Sequence, residues 1–158
     1  MIKEISRKHL GDCAKVIRAS FNTVAKDFNI TEENAPGYVA FAATEKKLSA
    51  QYDEGRKMFA YFDDDKIVGF YSLEFNGKAC ALNNLCVLPE YRHKGLGDKL
   101  LHHCFKTAQA LKSDKITISI VEENKKLKEW YIGYGFKPVY TKKYDFFPFT
   151  CGYMEKAL

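Results

Sequence analysis

No stretch of 18 consecutive apolar residues occurs in the 158-residue sequence, no run of five or six like charges, and no Cys-x-x-Cys pair among its five cysteines. The first absence excludes a membrane-spanning helix of ordinary length. The second excludes a basic arm of the nucleic-acid-binding kind, although 25 Lys and Arg against 20 Asp and Glu leave a net charge of +5. An odd cysteine count without close pairs argues against a disulfide framework or a zinc ribbon, and fits reduced, buried thiols in a cytosol. Prolines number 4 and glycines 10, too few for a collagen-like or low-complexity chain. Met1-Ile2-Lys3-Glu4 lacks the apolar stretch of a signal peptide. The expectation is a cytoplasmic protein, a monomer or homodimer, with no membrane and no nucleic-acid partner.

What the sequence has is enough apolar material for one core. It is 46% hydrophobic and 15% aromatic, and its length fits a single domain over residues 1–158. Leu10, Ala14, Ile17, Phe21, Val24 and Phe28 recur at helical spacing and predict a long amphipathic helix. A polar helical piece through Lys46, Leu48 and Tyr52 follows Pro36-Gly37. Met58–Phe62, Ile67–Phe75 and 78–88 read as strands joined by Asp63-Asp64-Asp65 and Asn76-Gly77. Leu96, Leu100, Leu101, Cys104, Ala108 and Leu111 mark a second long helix, and Lys115–Val121 a strand buried on one face. Leu127, Trp130, Tyr131 and Tyr134 give a third helix with Gly135 where a C′ glycine belongs. Phe136–Tyr140 and about 150–155 form a closing hairpin. The order is that of a mixed α/β domain around one sheet.

The most informative stretch runs Leu85-Cys86-Val87-Leu88-Pro89-Glu90-Tyr91-Arg92-His93-Lys94-Gly95-Leu96-Gly97-Asp98. A strand ends, a loop with two fixed cations and two glycines follows, and a helix begins at once. Unpaired N–H groups at a helix start, with the positive end of its dipole, attract anions. Gly95 and Gly97 allow close approach by the backbone, and Arg92 and Lys94 add charge. A Walker A loop is absent, and a dinucleotide fingerprint fails because position 100 is Leu100.

What remains is Arg-x-x-Gly-x-Gly after Leu-x-Val-x-Pro-x-Tyr, which resembles the acetyl-CoA pyrophosphate loop of the GNAT superfamily of acyl-CoA-dependent N-acyltransferases. A second segment, Asn124 to Phe136, is similar to that family's later helix: an Asn opens it, Trp130-Tyr131 sits near its middle and Gly135-Phe136 closes it. The resemblance implies a mostly antiparallel central sheet of six to seven strands flanked by helices. It also implies transfer of an acetyl group from acetyl-CoA to a primary amine, on a small molecule or a peptide, by direct attack in a ternary complex and without a metal. Residues 92–98, among them His93, Leu96 and Asp98, would hold the pyrophosphate. Leu85, Cys86 and Val87 would align the pantetheine on a strand splayed from Lys115–Val121, with a free N–H for an oxyanion. Asn124 would touch the cofactor, and Tyr131 would protonate the departing thiolate.

The base is less legible. Family members often carry a Glu before the phosphate loop, where this sequence has Ala81, leaving Asn83 or Asn84 to order a water and Glu74 as a carboxylate on the neighbouring strand. That gap also admits a second reading, a CoA-binding sensor or scaffold without catalysis. Asp63–Asp65 and His102-His103 lack metal-ligand spacing. Cys86 would be an acyl acceptor only if activated. Tyr144, Phe146, Phe147 and Phe149 read equally as hairpin packing and as a loop beside the acceptor.

Overall fold

A computed structural model describes residues 1–158. Its strands are β1 (Ile2–Glu4), β2 (Lys57–Asp63), β3 (Lys66–Asn76), β4 (Ala79–Val87), β5 (Lys115–Val121), β6 (Lys137–Lys143) and β7 (Thr150–Ala157). Its helices are α1 (Leu10–Asp27), α2 (Val39–Ala42), α3 (Glu45–Asp53), α4 (Leu96–Ala110) and α5 (Lys125–Gly133). The strands join in one seven-stranded sheet of order β1-β2-β3-β4-β5-β7-β6, in which only β4 and β5 run parallel. No helix is long and apolar enough to cross a membrane.

Strand alternation decides which residues face which helix. Tyr71, Leu73, Cys80, Leu82 and the β5 isoleucines share the face covered by α4, while Phe70, Ser72, Ala81 and Asn83 share the face toward α1. The α4 side is tightly filled. A Cβ on Gly69 would come 2.9 Å from Leu100 Cδ1 and 3.2 Å from the Cys86 carbonyl oxygen, so any side chain there would require buried Leu100 to shift. The Tyr71 hydroxyl is buried with His103 Nδ1 at 2.7 Å, which gives His103 a place in the core.

Two features differ from the sequence reading. The closing hairpin exists, but β7 inserts between β5 and β6 and leaves β6 as an edge strand exposed along its whole length. Its Pro138 and lysines are what an unpaired edge tolerates. Helix α1 follows its predicted stripe only in part. Leu10, Ala14 and Ile17 are buried, whereas Phe21 and Val24 are half-buried and face a cleft.

Candidate acyl-CoA site

The parallel pair at the middle of the sheet does not stay paired. Ala79, Cys80 and Ala81 lie opposite Lys115, Ile116 and Thr117, and beyond them β4 and β5 diverge. From Leu82 to Val87 the β5-facing edge of β4 has no strand partner. A bulge in β4 accompanies the divergence: the register with β3 slips between Phe70 and Ser72, and Asn84 takes a left-handed φ of 58°. An asparagine supports that conformation better than most residues do.

The gap is a cleft of about 240 Å³. Its walls are Leu82, Asn83, Asn84 and Leu85 on β4 and Ile118 to Val121 on β5. Asn124, Leu127 and Tyr131 also line it, as do Phe21, Val24, Tyr38, Val39, Phe147, Phe149 and Cys151. Leu85 faces the cleft as the sequence suggests. Cys86 and Val87 are buried side chains that contribute only their backbone. Burial pushes the Cys86 thiol up to about 12, so it stays protonated and is no acyl acceptor.

Past Val87 the chain makes a 3₁₀ turn over Pro89–Tyr91 and enters α4 through His93, at φ 63°, and Gly95, at φ 81°. The first helical hydrogen bond runs from the Lys99 N–H to the Gly95 carbonyl, at 3.1 Å. The backbone N–H groups of residues 93–98 therefore donate to no group of the protein. A row of free donors at the positive end of a fifteen-residue helix is what a pyrophosphate requires. Gly97 has room: a Cβ there would meet Trp130 at 3.7 Å, an ordinary contact, so the fold itself does not demand glycine at this position.

The Arg92 guanidinium is engaged within the protein. Its Nε donates to the Val87 carbonyl at 3.0 Å, Nη1 to Thr23 Oγ1 at 3.0 Å and Nη2 to the Ser20 carbonyl at 2.9 Å. Its backbone N–H is held by the Pro89 carbonyl. The guanidinium is a clamp between α1 and the end of β4, and the free cation of the loop is Lys94, which lies over the Tyr91 ring at 5.4 Å. Lys66, at the start of β3, flanks the same ring at 5.3 Å and is a neighbouring cation that nothing in the local sequence marks. Arg92→Ala is expected to lower unfolding free energy by about 1.5–3 kcal/mol, the range for hydrogen bonds to a charged group. Arg92→Lys should recover little, because an ammonium cannot reproduce the fork. Denaturant unfolding checks both.

At the other end, Asn124 caps α5, its Oδ1 accepting the Leu127 N–H at 3.2 Å, while its amide NH₂ makes no bond within the protein. Gly135, at φ 97°, stops the helix as read from the sequence. Tyr131 is 6% exposed, with Trp130 and Phe136 rings at 5.0 and 5.3 Å. Its hydroxyl, on the cleft wall, has no hydrogen-bond partner in the protein. Burial pushes this phenol well above its ordinary value, so it is fully protonated at neutral pH. Asp98, in the first turn of α4, is bound by the Tyr134 hydroxyl and lies 3.4 Å from His102 Nδ1. It joins α4 to α5.

Glu74 does not reach the cleft. It stands opposite Ala81 on the α1 face, and its carboxylate takes the Arg56 guanidinium. No carboxylate lines the cleft. His102 and His103 point to different partners, Asp98 and Tyr71, and Asp64 is a turn tip at φ 54°. The tail loop does both things expected of it: Phe149 packs on Tyr38 at 5.6 Å, and Phe147 stacks on Phe149 at 4.7 Å while lining the cleft.

A splayed parallel pair with an anion cradle at one end and a protonated phenol inside defines an acyltransferase that draws on an acyl-CoA. Residues 54–138 match the profile of the Acetyltransferase (GNAT) domain, and the chain belongs to that acetyltransferase family, whose reaction is acetyl-CoA-dependent acetyl transfer. Solved structures share the fold. The PaiA N-acetyltransferase of Thermoplasma acidophilum, in complex with coenzyme A, is 21% identical at a TM-score of 0.85, over 100% of this chain and 98% of that one. The ribosomal-protein-S18-alanine N-acetyltransferase of Escherichia coli is 16% identical at 0.80, over 99% and 92%. A GNAT family acetyltransferase from Elizabethkingia anophelis with acetyl-CoA bound is 20% identical at 0.64, over 72% and 83%.

Proposed function

We propose that the protein is an N-acetyltransferase that passes the acetyl group of acetyl-CoA directly to a primary amine within a ternary complex. The observation that carries this reading is the pairing of free N–H groups at 93–98, just past the end of β4, with a Tyr131 hydroxyl that has no partner in the protein, on a residue lining the cleft where β4 and β5 splay. The N–H row and Lys94 would hold the pyrophosphate. The unpaired edge of β4 at Leu85 to Val87 would align the pantetheine, and the Asn124 amide would complete the grip. Acetyl-CoA, when bound, supplies the activated acyl group. The neutral amine forms the new C–N bond, Tyr131 gives its proton to the sulfur as the C–S bond breaks, and the proton shed by the nitrogen restores the phenol, while Arg92 holds the loop in register from behind.

The amine has to be neutral to attack, and a lysine-like amine has a pKa of ~10.4. With no carboxylate on the cleft, Asn83 and Asn84 can orient a water but cannot take up the proton themselves. The expected pH profile follows: log(kcat/KM) rises with a slope of about one until the acceptor's own amine pKa is reached. A plateau that begins near pH 5–6 would instead reveal a base on the protein.

The direct test is calorimetric titration with CoA, followed by release of free thiol from acetyl-CoA over a panel of amines. Saturable binding and amine-dependent thiol release support the enzyme. Binding without release from any amine would favour the sensor or scaffold reading. Absence of CoA binding would overturn both.

A further inference from the structure

We infer that the acceptor is an amino carboxylate with an apolar or aromatic side chain, such as a free hydrophobic amino acid. This rests on the acetyltransferase reading and adds the chemical class of its second substrate. The cleft shares Gly37, Val39, Asn83 and Asn84 with a second space of about 200 Å³, so the two adjoin at the β4 bulge. Their linings differ sharply.

The second space is cationic. Arg56 and Lys47 line it with Gln51, and no carboxylate does. Arg56 is nearly enclosed, its side chain 13% exposed, and the single bond to Glu74 leaves other donors of its fork unengaged. Lys47 forms no ion pair and sits in the first turn of α3, where the helix dipole disfavours a cation. The fold gains nothing evident from a lysine there. An anion entering this space would satisfy both cations, with Gln51 as a neutral partner.

Beyond the shared residues the lining of the cleft is largely apolar. Phe21, Val24, Tyr38, Phe147 and Phe149 form it, with Tyr38 and Phe149 edge to face. A side chain of several carbons would bury there. The bulge at Asn83 and Asn84, on the edge left free for the thioester, lies between the two regions. An α-amino acid has this three-way layout: amine at the bulge, carboxylate toward Arg56 and Lys47, side chain among the aromatic rings. A polyamine does not. Its second ammonium would meet Lys47 and Arg56, with the Glu74 carboxylate already held by Arg56.

The test compares thiol release from acetyl-CoA with phenylalanine, leucine, phenylalanine amide, phenethylamine and spermidine. Phenylalanine and leucine should exceed the amide and phenethylamine by roughly 10–100-fold in kcat/KM, the factor for losing a hydrogen bond between charged groups. Spermidine should stay at background. Lys47→Glu, on a helix surface, should lower kcat/KM for phenylalanine by a similar factor while CoA affinity is unchanged. The preference for phenylalanine over phenethylamine should then collapse toward one. Arg56→Gln should act likewise, and Lys47→Glu carries the test if loss of the Glu74 pair impairs folding. Equal rates for acid and amide, faster turnover of spermidine, or inert phenylalanine with CoA bound would overturn the acceptor class and leave CoA binding standing. Failure of the wild type to bind CoA would overturn the acetyltransferase reading as well.

Discussion

Tyr131→Phe is expected to lower turnover by roughly 10²–10⁴-fold, the range for removing a general acid, with CoA affinity and Tm close to wild type. The structure makes this variant cleaner than most tyrosine substitutions. The ring is enclosed by Trp130 and Phe136, which phenylalanine would leave undisturbed. The hydroxyl has no hydrogen-bond partner in the protein, so its removal breaks no bond in the fold. A buried, bonded tyrosine would cost about 0.5–1.5 kcal/mol on the same change. That cost applies to Tyr71, whose hydroxyl meets His103, and not to Tyr131. The raised phenol pKa bears on the mechanism as well. A free thiol has a pKa near 8.5, so its thiolate is a weaker base than such a phenolate, and burial of the phenol keeps the proton on Tyr131 until the sulfur departs. Wild-type turnover in Tyr131→Phe would remove the residue from the reaction and leave the thiolate to be protonated by water.

The parts of this site that were legible in the sequence are those built by contiguous residues. A strand end, two glycines and a helix start lie within residues 85–98, and their geometry depends mainly on local φ and ψ. The same holds for Asn124 as cap and Gly135 as stop, both of which the structure puts at the ends of α5. What could not be read is set by partners far away in the chain. Arg92 looks like a phosphate cation beside Gly95, yet its bonds go to Thr23 and Ser20, 69 and 72 positions away. Glu74 looks free until Arg56 is folded against it. The bulge at Asn84 exists only relative to β3, so no single-strand pattern marks it.

Periodicity also has a built-in ambiguity. Phe21 and Val24 keep the helical phase of Leu10, Ala14 and Ile17, and an apolar stripe reads the same whether it meets a core or a cleft. Here the same stripe passes from packing at Leu10, Ala14 and Ile17 to lining at Phe21 and Val24. Four-residue α2 is too short to show a period at all, although Val39 borders both spaces at the bulge. The walls of the two spaces come from α1, the α1–α2 connection, α3 and the β6–β7 loop as well as from the strands, which no contiguous pattern in the sequence could bring together.

The second large effect is expected at Gly95. Its φ of 81° lies in the left-handed region, and no atom outside its chain neighbours lies within 4 Å of a Cβ placed there. The obstacle to substitution is therefore backbone conformation and not crowding. A β-branched residue in that region costs on the order of 1–3 kcal/mol, and the chain can relieve it only by turning the peptide. Turning it re-aims the N–H groups on either side, which belong to the row that would meet the pyrophosphate. Loss of even two such bonds to a charged ligand should weaken CoA binding by at least ~100-fold in Gly95→Val. Gly95→Asn is the matched control, since asparagine accepts a positive φ. It should keep the fold and bind CoA within roughly tenfold of wild type. Calorimetry gives the affinities, and thermal unfolding confirms that both variants are folded. Unchanged CoA affinity in a folded Gly95→Val would mean that the pyrophosphate lies elsewhere, and that the free N–H row at the start of α4 serves no ligand.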